Sequence, residues 1–340
     1  MPALSTYREP VTTAITAFFL GGTLSMTGHD DGAVSRLVAA DLIDAVPQLA
    51  QLDMSLDARD FRRLPSACLT FDDIVELVAA AAESGADGIV VVQGTDTIEE
   101  TAYLIDLLWP GDAPVVVTGA MRNPSLAGPD GPANLLAAMT VAASDRFRGY
   151  GALVVLNDEV HAARYVRKTH STNTATFASP NAGPVGLVVE GEAVAMFGVA
   201  RRRTHTPKGP VNSRVPIVAV GMGDDATALT GLATNGDGQN CDGLVVAGFG
   251  AGHVPDVLAE PVGALAQRVP VVLASRTGAG PVLARTYGFA GSETDLLARG
   301  LIRAGLLDPY KARVLLRVAL ACGYDRAGIV AAFAEAAGLG

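Results

Sequence analysis

Short runs of apolar, β-branched residues alternate with longer stretches of helical periodicity up to about residue 190. Buried strands of a parallel sheet are almost entirely apolar, and amphipathic helices connect them. The pattern therefore predicts an α/β domain with a parallel sheet. Its expected strands are "TAFFL", "GIVVVQ", "PVVVTG" and "GALVVLN".

Three of the intervening stretches predict helices. The segment "TFDDIVELVAAAAESG" begins at Thr70, with Asp73 three residues later, and ends at Gly85. This spacing resembles a capping box at the start of a helix, and a glycine commonly ends one. The other two predicted helices are "TIEETAYLIDLLW" and "PANLLAAMTVAAS".

The alternation breaks down in "EGEAVAMFGVARRRTHTPKGPVNSRV" and resumes with the strands "VPIVAVGM", "DGLVVAGFG" and "PVVLAS". We therefore expect an N-terminal domain over 1–191, a linker over 192–214 and a smaller α/β domain over 215–340. Two helical stretches, "DPYKARVLLRVALAC" and "YDRAGIVAAFAEAAG", close the chain. The basic residues Arg201, Arg202, Arg203, His205 and Lys208 fit a solvated linker better than an anion-binding patch.

Composition narrows the classes of partner. The chain has 340 residues, of which 49% are hydrophobic, and a formal net charge of −10. An acidic surface repels nucleic acid and anionic membranes, so neither is an expected partner. The three widely spaced cysteines fit a reducing cytoplasm and suggest no zinc site or disulfide framework. We interpret the apolar "VTTAITAFFLGGT" as the first strand and expect no transmembrane helix.

Polar clusters follow three of the predicted strands: "LGGT" ends in Thr23, "QGTDT" contains Thr95 and Asp96, and "TGAMR" contains Thr118 and Met121. Ligands of open parallel sheets bind at the carboxyl ends of the strands. The alternative for each cluster is structural, because glycine permits a tight turn and a hydroxyl or carboxylate caps the next helix. Three such clusters in one domain favour a small-molecule site.

The hydroxyl groups suggest a chemistry. The chain has no G-x-S-x-G motif, and its five histidines are scattered. A threonine can act as a nucleophile when a lysine accepts its proton. Lys168, in "HAARYVRKTHSTNT", is the candidate base, although such a charged run is also typical of a solvated surface loop. From the residues alone, the expected site contains hydroxyls, one carboxylate and one lysine.

The succession "GGT", "QGTDTIEETAY", "PVVVTGAMR", "DGPANLLAA", "VVLNDEVHAARYVRKTHST" and "KARVLLRVAL" resembles the bacterial L-asparaginase family over almost the whole chain. The resemblance implies a flavodoxin-like sheet in the larger domain and hydrolysis of L-asparagine to L-aspartate and ammonia. It also implies that Thr23 is the nucleophile and that Thr95, Asp96 and Lys168 form a proton relay.

The resemblance further implies the substrate contacts. Ser66 would bind the α-carboxylate, Asp96 and more loosely Glu293 the α-ammonium, and backbone N–H groups around Gly94, Thr95 and Ala120 an oxyanion. Members of this family use no metal and no organic cofactor. They share the site between subunits, which implies a homo-oligomer, either a dimer or a tetramer.

Three positions depart from the family pattern. No tyrosine follows "GGT" in "LSMTGHDDGAVSRL", Ala67 stands where a glutamine often follows the binding serine, and Gln93 replaces a common histidine. One alternative is hydrolysis of glutamine or another small amide, since one methylene changes binding by only about 1–3 kcal/mol. Others are an ammonia-supplying subunit of a tRNA-dependent amidotransferase, against which the acidic charge argues, and an amino-acid-binding protein without turnover.

Overall fold

The structure, a computed structural model, describes residues 12–22, 24, 26–27, 34–35, 37–200, 203–233 and 241–337. The strands of the N-terminal half are β1 (Thr13–Phe19), β2 (Met26–Thr27), β3 (Val34–Ser35), β4 (Met54–Asp60), β5 (Gly88–Val92), β6 (Val115–Thr118), β7 (Ala152–Leu156), β8 (Glu159–Ala162), β9 (Arg167–Lys168), β10 (Phe177–Ala178), β11 (Gly186–Val189) and β12 (Glu192–Ala195). Its helices are α1 (Ala39–Asp44), α2 (Phe71–Ser84), α3 (Ile98–Leu108) and α4 (Gly131–Ala142).

The C-terminal half has the strands β13 (Ile217–Ala219), β14 (Leu244–Gly248), β15 (Val271–Ser275) and β16 (Ile302–Arg303). Its helices are α5 (Thr227–Ala233), α6 (Asp256–Ala266), α7 (Glu293–Ala298), α8 (Pro309–Ala321) and α9 (Arg326–Ala337). The four strands form one parallel sheet in the order β13-β14-β15-β16.

The larger sheet has the order β12-β11-β8-β7-β6-β5-β1-β4. Strands β4, β1, β5, β6 and β7 pair in parallel, whereas β8, β11 and β12 continue the sheet antiparallel. Counted along the chain, the parallel strands follow the flavodoxin-like order 2-1-3-4-5, and the direction of winding changes between β1 and β5. The two predicted α/β domains with parallel sheets are thus confirmed.

Four strands of the larger sheet were not among the strands expected from the sequence: β4, β8, β11 and β12. Most side chains of the edge strand β4 are exposed, and three of its seven residues are charged, so it contains no apolar run. Strand β12, Glu192–Ala195, belongs to the larger sheet although it falls within the stretch expected to be linker. Its pairing with β11 extends the sheet beyond residue 191.

The two halves share a hydrophobic core. Helix α3 is buried over most of its surface and packs against α8 of the C-terminal half. One apolar cluster runs from Phe18 of β1 through Leu104 of α3 and Leu315 of α8 to Val245 of β14. Burial of this much apolar surface fixes the two sheets relative to each other, so α8 lies close to the loops that follow β5.

Within the residues that the structure describes, no helix is long and apolar enough to cross a membrane. Cys68, Cys241 and Cys322 are free thiols; Cys68 is exposed and the other two are buried.

The predicted capping box of α2 is confirmed. The Thr70 hydroxyl accepts a hydrogen bond from Asp73 N at 3.2 Å, and the Asp73 carboxylate accepts one from Thr70 N at 2.9 Å. We expect Thr70→Ala to lower the free energy of unfolding by about 1 kcal/mol, since an N–H of the first turn loses its acceptor. Urea unfolding monitored by circular dichroism measures this change. Thr70→Ser keeps the hydroxyl, and an equal loss in both variants would contradict the capping role.

Candidate active site

The loops that follow β1 and β5 meet at the carboxyl edge of the larger sheet, where the winding direction changes. Gly22 has φ +96°, and a β-carbon on it would lie 2.1 Å from the backbone nitrogen of Gly94. Only two glycines allow the loops to approach so closely. Thr23, the predicted nucleophile, is bonded to Gly22 but lies outside the described residues.

Lys168 reaches the same edge from β9, which pairs antiparallel with β10. Its ammonium group donates hydrogen bonds to Thr95 Oγ1 at 2.9 Å and to Asp96 Oδ1 at 2.8 Å. The Lys168 side chain is 15% exposed, whereas that of Asp96 is 68% exposed. The structure therefore brings together three of the predicted site residues, with the lysine covered and the carboxylate open to solvent.

Ser66 lies against this group, in a short 3-10 helix over Ser66–Cys68. Its hydroxyl accepts a hydrogen bond from Asp96 N at 3.3 Å, and its carbonyl accepts one from the Thr97 hydroxyl at 3.2 Å. Gly94 makes room for it, since a β-carbon there would lie 2.7 Å from Ser66 Oγ. Ser66 and Gly94, both predicted binding residues, are thus in contact.

Gln93 stabilises the same loop from the interior of the protein. It is completely buried, and its Nε2 donates to Gly94 O at 3.2 Å and to Thr97 Oγ1 at 3.1 Å. Its Oε1 has no hydrogen-bond partner among the described residues. Through these two hydrogen bonds its amide group holds the turn between β5 and α3.

The loop that follows β6 lies next to the loop that follows β5 at the carboxyl edge of the sheet. A β-carbon on Gly119 would lie 2.4 Å from Gln93 O, which places the buried Ala120 beside the β5 loop. Asn134 of α4 donates to Gly119 O at 3.0 Å, and Asp130 accepts from Met121 N at 3.0 Å. These side chains fix the backbone at the third predicted polar cluster.

Among the described residues, the side-chain hydrogen bonds of Glu293 are all made within the C-terminal half. Its buried carboxylate accepts hydrogen bonds from Thr286 N at 2.9 Å and Tyr287 N at 2.8 Å, and it contacts His253 Nε2 at 3.2 Å. Burial would raise the pKa of Glu293, but the two backbone N–H groups and His253 outweigh burial and lower it. The carboxylate orders its own loop, and its predicted contact with substrate stays a prediction.

The histidines near Lys168 have local partners. His161 is buried, with Nδ1 at 3.0 Å from Ser179 Oγ and Nε2 at 3.1 Å from Glu159 Oε2. Burial lowers the pKa of His161. The His170 ring accepts the N–H of Asn173 at 3.0 Å in the turn between β9 and β10. Both rings order the chain around the lysine without contacting its ammonium group in the part of the chain that the structure describes.

The sequence did not predict a buried group of charged residues that lies next to the backbone of Lys168. Glu99 of α3 and Lys311 of α8 are 8% and 0% exposed, and Asp308 and Arg167 complete the group. Burial raises the pKa of Glu99, although the charge of Lys311 opposes the rise. Burial would also raise the pKa of Asp308, but the charge and hydrogen bonds of Lys311 together with the charge of Arg167 outweigh burial and lower it. The available signal was Lys311 on the apolar face of α8, in line with Leu315 and Val318.

Among the residues described, no group of three or more His, Cys, Asp or Glu side chains has the arrangement of a metal site. The arrangement at the sheet edge consists of a lysine ammonium, hydroxyl groups, a carboxylate and backbone N–H groups. Such groups can transfer a proton and stabilise a developing oxyanion.

Comparison with known proteins gives consistent matches along the chain. Residues 14–200 match the family "Asparaginase, N-terminal", and residues 214–333 match the "Glutaminase/Asparaginase C-terminal domain". L-asparaginase 2 of Bacillus subtilis is 38% identical, covering 93% of this chain and 84% of that protein. A probable L-asparaginase of Deinococcus radiodurans is 35% identical, covering 93% and 95%. The crystal structure of a probable cytoplasmic L-asparaginase from Campylobacter jejuni superimposes with a TM-score of 0.82 at 30% identity, covering 95% and 99% of the two chains.

The close approach of Gly22 to Gly94 gives a prediction. We expect Gly22→Ala to destabilise the protein by about 3 kcal/mol or more, because steric overlap adds to backbone strain. Gly85→Ala is the matched control: Gly85 also has a positive φ, +64°, but a β-carbon there meets nothing within 4 Å. We expect it to cost about 1–2 kcal/mol. Urea unfolding of both variants tests the difference, and equal losses would argue against the contact.

Proposed function

This chain belongs to the asparaginase family, and we propose that it hydrolyses L-asparagine to L-aspartate and ammonia through an acyl-enzyme on Thr23. The observation that carries the proposal is the pair of hydrogen bonds from Lys168 Nζ to Thr95 and Asp96 at the carboxyl edge of the sheet. A lysine held on a hydroxyl and a carboxylate can move a proton to and from a reacting centre.

The reaction proceeds in two steps. The Thr23 hydroxyl attacks the side-chain amide carbon, the carbon–nitrogen bond breaks, and ammonia leaves with the proton of that hydroxyl. Lys168 exchanges this proton through the Thr95 hydroxyl, which it contacts at 2.9 Å. Water then cleaves the ester, which releases aspartate and restores the threonine. Backbone N–H groups of the loops containing Gly94, Thr95 and Ala120 stabilise the oxyanion in both steps.

The head of the amino acid binds beside the relay. Asp96 accepts the α-ammonium, which is consistent with its exposed carboxylate. Ser66 donates to the α-carboxylate, and its position against Gly94 and Asp96 N supports this role. Glu293 of a second copy would add a further contact to the ammonium. Under this proposal the protein is a homo-oligomer, a dimer or tetramer, and it acts in the cytoplasm.

The alternative of the same class is a glutaminase or another small-amide hydrolase, which the description "Glutaminase/Asparaginase" of the C-terminal match favours. An additional methylene in the substrate changes the free energy of binding by about 1–3 kcal/mol, so the two amides compete at one site. An amino-acid-binding protein without turnover is the alternative of a different class.

The test is ammonia release from L-asparagine, L-glutamine and D-asparagine by the wild-type protein, Thr23→Ala and Lys168→Met. We expect L-asparagine to be the best substrate. We expect each substitution to lower kcat by at least about 1,000-fold. The nucleophile Thr23 and the relay lysine Lys168 act as one unit, so the loss of either disables both.

Ammonia release by the wild type that survives in both variants would contradict the threonine–lysine mechanism. Faster release from L-glutamine would identify a glutaminase. Binding of asparagine or aspartate in calorimetry, with no release from any of the three amides, would support the binding protein instead.

A further inference from the structure

We propose that Glu99 and Lys311 are positioning residues that fix the backbone on either side of Arg167 and thereby aim Lys168 at Thr95 and Asp96. That the position of Lys168 matters for catalysis rests on the proposed function. The contact that suggests it is made by a lysine of the C-terminal half, which reaches into the N-terminal half next to the candidate site.

Lys311 holds the first of two backbone groups. Its Nζ donates to Val166 O at 2.5 Å and to Asp308 Oδ2 at 3.0 Å, and it lies 3.8 Å from Glu99 Oε2. The Lys311 side chain is only 1% exposed, so water does not replace these contacts. A buried carbonyl without a donor is costly, and Lys311 is the donor for Val166.

Glu99 holds the second backbone group. Its Oε2 accepts a hydrogen bond from Lys168 N at 3.3 Å. The same carboxylate lies 3.9 Å from Arg167 Nε, which lies 4.0 Å from Asp308. The backbone at Val166 and at Lys168 is therefore tied to one group of two acids and two bases.

The four charged side chains of this group neutralise one another. Glu99 and Asp308 balance Arg167 and Lys311, and the side chains of both acids are almost covered. Removal of one member leaves a buried charge without its partner, which displaces the others. Truncation of Glu99 or Lys311 removes the hydrogen bond to the backbone together with the charge, and is therefore expected to move the β9 backbone, from which the Lys168 side chain extends.

The surroundings of the Lys168 ammonium group differ from those of its backbone. Thr95 and Asp96 accept hydrogen bonds from Nζ, whereas Glu99 accepts from the Lys168 backbone N–H and Lys311 donates to the Val166 carbonyl. The two proposed residues thus act on the lysine through its main chain and do not contact the reacting atoms.

A neighbouring ion pair provides a matched control. Glu100 follows Glu99 on α3, and Arg313 lies on α8 two residues after Lys311. Their side chains also pair across the two halves, at 3.6 Å, and both are partly buried. This pair joins the same two helices, and among the described residues it has no hydrogen bond or ion pair with β9. Substitutions there report the cost of loosening the α3–α8 contact without removing a hydrogen bond to the backbone of Val166 or Lys168.

The experiment compares Glu99→Ala, Glu99→Gln and Lys311→Met with the controls Glu100→Ala and Arg313→Met in the full-length protein. The first readout is hydrogen–deuterium exchange of the peptide containing residues 164–170, which requires no activity. We expect about 10-fold or greater acceleration in Glu99→Ala and Lys311→Met, and near wild-type exchange in both controls. Glu99→Gln retains an acceptor for Lys168 N and should preserve most of the protection.

The second readout is ammonia release. We expect Glu99→Ala to lower kcat by about 10- to 100-fold with KM changed less than about 3-fold, because misplacing a catalytic group slows the chemical step. Glu99→Gln should recover most of kcat, and the controls should retain it.

The two proposals fail in different ways. Inactive wild-type protein would overturn the proposed function, and the exchange data would still decide the positioning role. Equal exchange in Glu99→Ala and Glu100→Ala, or equal kcat in these two variants of an active enzyme, would overturn the positioning role. If Lys311→Met does not fold, the comparison of the Glu99 variants with Glu100→Ala decides the positioning role without it.

Discussion

The contact of the Lys168 ammonium group with Thr95 and Asp96 is the interaction on which the rest of the arrangement depends. It joins residues 73 and 72 positions apart, one in the separate β9–β10 pair and two in the turn that follows β5 of the larger sheet. Strand β5 brings Thr95 and Asp96 to the carboxyl edge, and the β9–β10 pair brings the lysine over them. Two hydrogen bonds from one flexible side chain do not fix either segment, so the surrounding backbone must be held independently on both sides.

The change of winding direction between β1 and β5 provides the space for this contact. Helices that follow these two strands leave in opposite directions, which opens a crevice at the sheet edge. Gly22 and Gly94 then allow the two loops to touch, since either β-carbon would overlap the other loop or Ser66. The topology therefore creates the crevice, and the two glycines determine how tightly its walls approach.

Hydrophobic periodicity predicted the elements whose residues carry strong local signals. The buried strands β1, β5, β6 and β7 are continuous apolar runs, and Thr70 with Asp73 marks the start of α2. The edge strand β4 escaped because its exposed, charged residues resemble a loop. Motif resemblance predicted Thr95, Asp96, Lys168 and Ser66 as site residues, and the fold brings these four residues together. Lys311 begins the motif "KARVLLRVAL", but its burial was not predicted, because a charged residue in a helix is usually on the surface and only the packing of α8 on α3 buries it.

A charged group in the seam between the two halves is a costly way to join them, since apolar residues of similar volume often stabilise a protein more than a buried ion pair does. Apolar side chains, however, cannot hydrogen-bond the Val166 carbonyl or the Lys168 N–H. Lys311 and Glu99 satisfy both groups while their charges balance those of Asp308 and Arg167. Hydrogen bonds are directional, so this polar contact defines the relative position of the two halves in a way that hydrophobic packing does not. Its cost is justified where the position of one side chain, Lys168, has to be fixed to within a fraction of an ångström.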